Sequence, residues 1–330
     1  MITQWDAHKI NVFLDICTYC NAGCPQCHRT NPNGLQKQDW LPLVQWSLAD
    51  FKTAFPRKTL RHINHFHFCG TYGDPMMVKD IYEIVEYIIK NSNSKIKFDT
   101  NGAMRNEDFW WDISVLGSDR LTLAFDVDGI NEEMHAHYRR FTSLEKVLDH
   151  MNIASQTNCN VHVQTILFKH NQDYKEEIRA LCKENGATHH EFMSSNRFDS
   201  GPVTHHVDEN GNPFILEEVT KVKASRRPDL IGERKIVCKW AKPKNEVVVN
   251  FDGQVLPCCY HQNPYSRKFR GLLKDNDELY NKYEKDKLKY NVLHTPLKDI
   301  IESKWFSEDL PDSIENKPLE ICTAICSRRV

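Results

Sequence analysis

Tyr19-Cys20-Asn21-Ala22-Gly23-Cys24-Pro25-Gln26-Cys27-His28-Arg29 is the stretch from which the rest of this chain is read. Its three cysteines, Cys20, Cys24 and Cys27, cannot by themselves close a four-coordinate metal site. A structural zinc ion takes four protein ligands. An iron–sulfur cluster is also held by cysteine thiolates, and one with only three protein ligands keeps an iron open to a small molecule. Cys17 offers the competing reading, a closed zinc knuckle made with Cys20, Cys24 and Cys27. Structural zinc sites usually pair two Cys-x-x-Cys units across a longer loop, however. Cys17 instead ends the apolar run Val12-Phe13-Leu14-Asp15-Ile16 and reads as a strand-end residue.

Around this loop, short β-rich runs alternate with helical patterns from residue 11 to about 192, the mark of parallel βαβ units. The expected strands are Asn11 to Ile16, Phe66 to Cys69, Ile96 to Thr100, Leu121 to Phe125, Val161 to Leu167 and His189 to Phe192. Ile81, Ile84, Val85, Ile88 and Ile89 repeat at helical spacing and predict one buried stripe; Tyr174, Ile178, Leu181 and Cys182 predict another. Six strands are too few for a closed eight-stranded barrel. Open parallel sheets and barrels alike carry their chemistry at the carboxyl ends of the strands.

Residues 200–237 are rich in Pro, Gly, Asn and charge, and read as a linker or substrate-covering loop. Beyond it, Val247-Val248-Val249 and Val255-Leu256 flank Phe251-Asp252-Gly253-Gln254 as a hairpin. Residues 274–290 form a charged helical stretch with Leu279 and Tyr283 as packing points.

The Cys20–Cys24–Cys27 spacing resembles the signature of the radical S-adenosylmethionine (SAM) enzymes, and the strand order fits their fold. The resemblance implies an α/β chain: a partial (β/α)6 TIM-like barrel in residues 1–199, the linker at 200–237, and a cysteine-rich twitch/SPASM-like auxiliary-cluster domain in 238–330. It also implies a four-iron (4Fe-4S) cluster on Cys20, Cys24 and Cys27, whose open iron binds SAM. Tyr72-Gly73-Asp74-Pro75 sits where relatives carry Gly-Gly-Glu-Pro, so Tyr72, Gly73 and Asp74 would meet the amino group of SAM, with Asp74 as the carboxylate partner. Asn101, in Thr100-Asn101-Gly102, and Asp126, in the serine position of a Ser-x-Asp-Gly pattern, would face the SAM pocket. Arg139 would clamp the SAM carboxylate, and Asn171 matches a pocket asparagine.

Cys238, Cys258, Cys322 and Cys326 would hold a second four-iron cluster, with Cys259 as an alternative ligand. A structural zinc ion at these four cysteines is the competitor. The implied activity is reductive cleavage of SAM, then hydrogen abstraction from an unidentified peptide or small molecule, with oxidation favoured. A redox-neutral rearrangement, epimerisation or decarboxylation and a zinc-stabilised binding protein are the rivals. An electron donor such as flavodoxin or ferredoxin is an expected partner.

Composition bounds the rest. The 330 residues carry 43 basic and 45 acidic side chains, so no global field favours nucleic acid or anionic lipid. No run approaches a membrane span, the N-terminus has no secretory pattern, and a cytoplasmic location is expected. At this length, 12 clustered cysteines read as metal ligands in a reducing compartment. Cys69, Cys159 and Cys182 read as core thiols, and His62, His65, His67, His189, His190, His205 and His206 as packing, surface or substrate-loop residues.

Overall fold

A computed structural model describes residues 5–198, 201–220, 234–262 and 278–329. Its centre is an open eight-stranded sheet in the order β11-β10-β1-β2-β3-β4-β5-β6. The first six strands are β1 (Ile10–Leu14), β2 (Ile63–Phe68), β3 (Lys95–Thr100), β4 (Leu121–Asp126), β5 (Asn160–Leu167) and β6 (His189–Ser194). They pair parallel in sequence order, as the alternating pattern predicts.

Period-two alternation divides the sheet's two faces. Val12, Leu14, Phe66, Phe68, Ile96, Phe98, Leu123, Phe125, Val161 and Val163 are fully buried in one core with the crossover helices. Helix Ile81–Asn91 turns Ile81, Ile84, Val85 and Ile88 into that core, while Ile89 is only partly buried. Each such side chain contributes about 2 kcal/mol of burial. Helix Lys175–Glu184 buries Ile178 and Cys182, but Tyr174 precedes it and is 40% exposed.

Two findings change the expected organisation. The valine hairpin forms as expected, β10 (Glu246–Val249) against β11 (Val255–Leu256), yet β10 pairs parallel with β1. The valine hairpin of the cysteine-rich segment therefore extends the central sheet. Within the expected linker, β7 (Val203–Val207) and β8 (Pro213–Glu217) form an antiparallel hairpin. Asp208 caps its turn, its carboxylate accepting from the backbone N–H groups of Asn210 and Asn212. Residues 200 and 221–233 of that linker, and 274–277 of the charged stretch, lie outside the described residues. The rest of that stretch contains helix Glu278–Lys285, which buries Leu279, Tyr280 and Tyr283.

A short antiparallel pair, β9 (Arg234–Ile236) with β12 (Ser327–Arg329), ties the end of the chain to the start of the cysteine-rich segment. Among the described residues, no helix is long and apolar enough to cross a membrane.

Candidate functional site

The Cys20–Cys27 loop follows β1 and is packed from above. Cys20, Cys24 and Cys27 share one apolar cluster with Ala22, Tyr138, Phe168 and Leu216 of β8. The β7–β8 hairpin is stitched to the residues that follow, Gly34 N–H donating to the Val207 carbonyl at 2.9 Å and Val207 N–H to the Pro32 carbonyl at 3.0 Å. Cys17 lies apart, buried in the main core, with its sulfur accepting from Tyr19 N–H at 3.2 Å. That separation argues against a knuckle made with Cys17. Burial raises the Cys20 thiol well above its ordinary pKa and pushes Cys24 up to about 12, so both need a cationic partner to ionise.

The strand ends converge on this loop through one carboxylate. Asp74 is 3% exposed and accepts from Met76 N–H (2.9 Å), Thr100 Oγ1 (3.0 Å), Asn101 N–H (2.8 Å) and Asn101 Nδ2 (2.6 Å). The chain's own donors thus tie this carboxylate to the end of β3 and to the turn after it. Asn101 Nδ2 also reaches Asn21 Oδ1 at 2.9 Å and the Cys20 sulfur at 3.7 Å, linking β3 to the cysteine loop. Gly73 is required here: a Cβ would stand 2.4 Å from the Cys17 carbonyl oxygen and 2.7 Å from that of Tyr19. The Tyr72 ring packs edge-on to Trp40 and Phe251.

Arg139 is 8% exposed and is held by two carboxylates, Nη1 at 2.8 Å from Asp126 and Nε at 2.6 Å from Asp128. Its Nη1 also lies 3.9 Å from the Cys24 sulfur. Burial pushes Asp126 up to about 7 even with Arg139 against it. Asn171 follows β5. It is fully buried, Nδ2 donating to the carbonyls of Asp128 (2.9 Å) and Ile166 (3.0 Å) while Oδ1 accepts from Phe168 N–H (2.8 Å). Both amide hydrogens and one of the two Oδ1 lone pairs thus shape the turn after β5.

The sheet face opposite the helices is polar, and the sequence reading assigned it no role. His67 Nε2 and Lys97 Nζ meet the Asp99 carboxylate at 2.6 Å and 2.9 Å, and Gln164 Nε2 donates to it at 3.0 Å. Burial opposes the charge on Asp99, but His67 and Lys97 win and hold its pKa near 2. Cys69, expected in the core, is only half-buried at the end of β2, with its sulfur 3.9 Å from Thr71 Oγ1. The available signal was alternation: on β2 and β3 every second residue is His, Lys or Asp between buried Phe and Ile.

A second, partly open pocket is lined by Cys238, Cys258, Cys322 and Cys326. The β9–β12 pairing brings the distant ends together, Val237 N–H donating to the Cys326 carbonyl at 3.1 Å. Cys259 is not part of the lining, but His261 is. The His261 Nε2 lies 3.7 Å from the Cys322 sulfur, and burial lowers its pKa to about 4. Among the described residues, no three His, Cys, Asp or Glu side chains are gathered to hold a single metal ion. A four-iron cluster binds each thiolate on a different iron and does not need that closeness, so both cysteine sets fit such a cluster by donor chemistry.

Residues 14–184 match the sequence profile of the radical SAM superfamily. Streptococcus suis SuiB superposes with a TM-score of 0.61 at 12% identity, over 98% of this chain and 73% of that one. The structure of anSMEcpe with bound AdoMet superposes with a TM-score of 0.53 at 14% identity, over 91% and 82%. At these identities the likeness is one of fold, and it runs through the cysteine-rich C-terminal region. A probable GTP 3',8-cyclase of Methanocaldococcus jannaschii is 23% identical over 175 residues, 53% of this chain and 55% of that relative. The matched stretch thus spans about half the relative's length.

Proposed function

This chain belongs to the radical SAM superfamily, and from that premise we propose that it is an enzyme that holds two four-iron clusters and oxidises a polar substrate. Cys20, Cys24 and Cys27 would hold the first cluster, which when bound supplies the electron that divides SAM into methionine and a 5′-deoxyadenosyl radical. Asn101 and Arg139 each bring an N–H group to a cysteine sulfur and so offset thiolate charge. The hairpin and the apolar cluster around Leu216 and Phe168 exclude water from the loop. The backbone at Tyr72–Gly73, with Asn101 and Asp126 beside it, is the proposed seat of SAM; the Asp74 carboxylate holds that seat in shape.

His67, Lys97, Asp99 and Gln164, joined to one another through the Asp99 carboxylate, make this face polar and favour a substrate rich in hydrogen-bonding groups over an apolar one. Cys238, Cys258, Cys322 and Cys326 would hold the second cluster, which when bound supplies an electron acceptor and makes oxidation the favoured outcome. A flavodoxin or ferredoxin is the proposed electron donor.

One observation carries this reading: two separate cysteine sets, three in the loop at the strand ends and four around a second cavity. The test is metal content after anaerobic reconstitution. Two clusters bind about eight irons, and replacing Cys20, Cys24 and Cys27 together by Ala halves that and abolishes SAM cleavage. Stoichiometric zinc with negligible iron contradicts the reading. Once a substrate is found, a product lighter by two hydrogens supports oxidation, and unchanged mass supports a redox-neutral rearrangement or epimerisation.

A further inference from the structure

His261 is a buried histidine that the SAM chemistry does not use. It is 2% exposed and lies in the cavity wall beside Cys238, Cys258, Cys322 and Cys326. Its backbone N–H donates to the Cys258 carbonyl at 3.0 Å, which anchors it in the turn that carries that cysteine. One ring nitrogen, Nε2, is 3.7 Å from the Cys322 sulfur; the other, Nδ1, is 2.7 Å from the hydroxyl of Tyr280 on helix Glu278–Lys285. Tyr280 is itself buried and packs its ring 5.7 Å from the imidazole.

The two contacts select a tautomer. A neutral imidazole carries a hydrogen on one nitrogen and a lone pair on the other. If the Tyr280 hydroxyl donates to Nδ1, the hydrogen sits on Nε2 and points at the sulfur, and both contacts are hydrogen bonds. Once Cys322 is a ligating thiolate, with no hydrogen to give, the opposite tautomer sets the Nε2 lone pair against the lone pairs of the sulfur. Beside a thiolate, the first arrangement gives both ring nitrogens a hydrogen-bond partner, and burial makes an unsatisfied one costly.

Resting on the reading of these four cysteines as cluster ligands, we propose that His261 is a positioning residue of the auxiliary site. It donates Nε2–H to the Cys322 sulfur, with Tyr280 fixing the tautomer, and so sets the reduction potential of the cluster held there. A hydrogen bond to a cluster sulfur stabilises the reduced, more negative state and raises the potential. Tyr280 and His261 extend the control of that site to residues that ligate nothing.

The experiment uses full-length protein in which Cys20, Cys24 and Cys27 are all Ala, reconstituted anaerobically so that only the auxiliary site holds iron. Iron content and an EPR-monitored redox titration are measured for this parent and for His261→Phe, His261→Gln and Tyr280→Phe made within it. We expect about four irons in each. His261→Phe should shift the potential downward by about tenfold in the reduced-to-oxidised ratio, ~59 mV for one electron. His261→Gln, which keeps an N–H donor, should recover part of the shift, and Tyr280→Phe should give a smaller shift of the same sign. An unchanged potential at full iron in His261→Phe overturns the proposal. Iron loss in both His261 variants but not in Tyr280→Phe also overturns it, because His261 would then be a ligand. If His261→Phe does not fold, Tyr280→Phe decides alone, and an unchanged potential there refutes the tautomer argument. A parent holding zinc or no iron overturns the auxiliary-cluster reading, and the proposal with it, before any His261 variant is compared.

Discussion

Asp74→Ala removes one acceptor from four donors: Met76 N–H, the Thr100 hydroxyl, Asn101 N–H and Asn101 Nδ2. The Thr100 hydroxyl can rotate, and Asn101 Nδ2 keeps Asn21 Oδ1 at 2.9 Å. The backbone N–H groups of Met76 and Asn101 cannot move, and their residues are 0% and 5% exposed. Each buried donor left without a partner costs about 1–3 kcal/mol. Burial raises the Asp74 pKa, so removing the charge returns part of that cost. The expected net loss is about 3 kcal/mol of folding stability, with Asp74→Asn losing roughly half as much because one oxygen remains.

The assay is urea unfolding of the anaerobic, iron-loaded protein followed by tryptophan fluorescence, alongside a SAM titration at matched iron content. If Asp74 instead pairs with the SAM ammonium group, both variants unfold at the wild-type midpoint and lose roughly ten- to a hundredfold in SAM affinity. That pattern refutes the assignment of Asp74 as the scaffold of the strand ends.

Gly73→Ala should push the 70–75 turn off the Cys17–Tyr19 backbone, since its Cβ would lie 2.4 Å from a carbonyl oxygen that cannot yield without moving the loop. Iron at the Cys20, Cys24 and Cys27 site should fall by more than half while the auxiliary set keeps its own; full iron at both sites contradicts the close approach. Asp15 is fully buried, and its pKa is raised from 3.8 to about 6, chiefly by burial and against the hydrogen bonds from Gln262 and Thr71. The folded state therefore binds the proton more tightly than the unfolded chain, and this residue's contribution to stability is lost as pH rises from about 4 to about 6. Asp15→Asn, with the Gln262 amide turned to accept, should gain about 3 kcal/mol at pH 7 and nothing near pH 4. Equal gains at both pH values, by thermal unfolding, would show that the carboxylate's charge is not the cause.

The six-stranded order, the Ile81–Ile88 stripe and the three-cysteine loop were legible in the chain because each is carried by neighbours in sequence. Side-chain alternation, helical spacing and the Cys20–Cys24–Cys27 interval all act within one or two turns of backbone. The four cysteines expected to hold a second cluster line one pocket, although their choice rested on likeness and not on local physics. What each polar residue does was decided only in three dimensions. Asp74 and Asn171 were placed at the SAM pocket by likeness to family motifs; the structure adds that donors from the end of β3 meet the Asp74 carboxylate and that the Asn171 amide bonds the carbonyls of Asp128 and Ile166. The pairing of β10 with β1, of β9 with β12, and the meeting of His67 with Asp99 join residues far apart in the chain. A hydrogen-bonding group's role depends on which partners reach it, and those partners are set by long-range packing that no local spacing encodes.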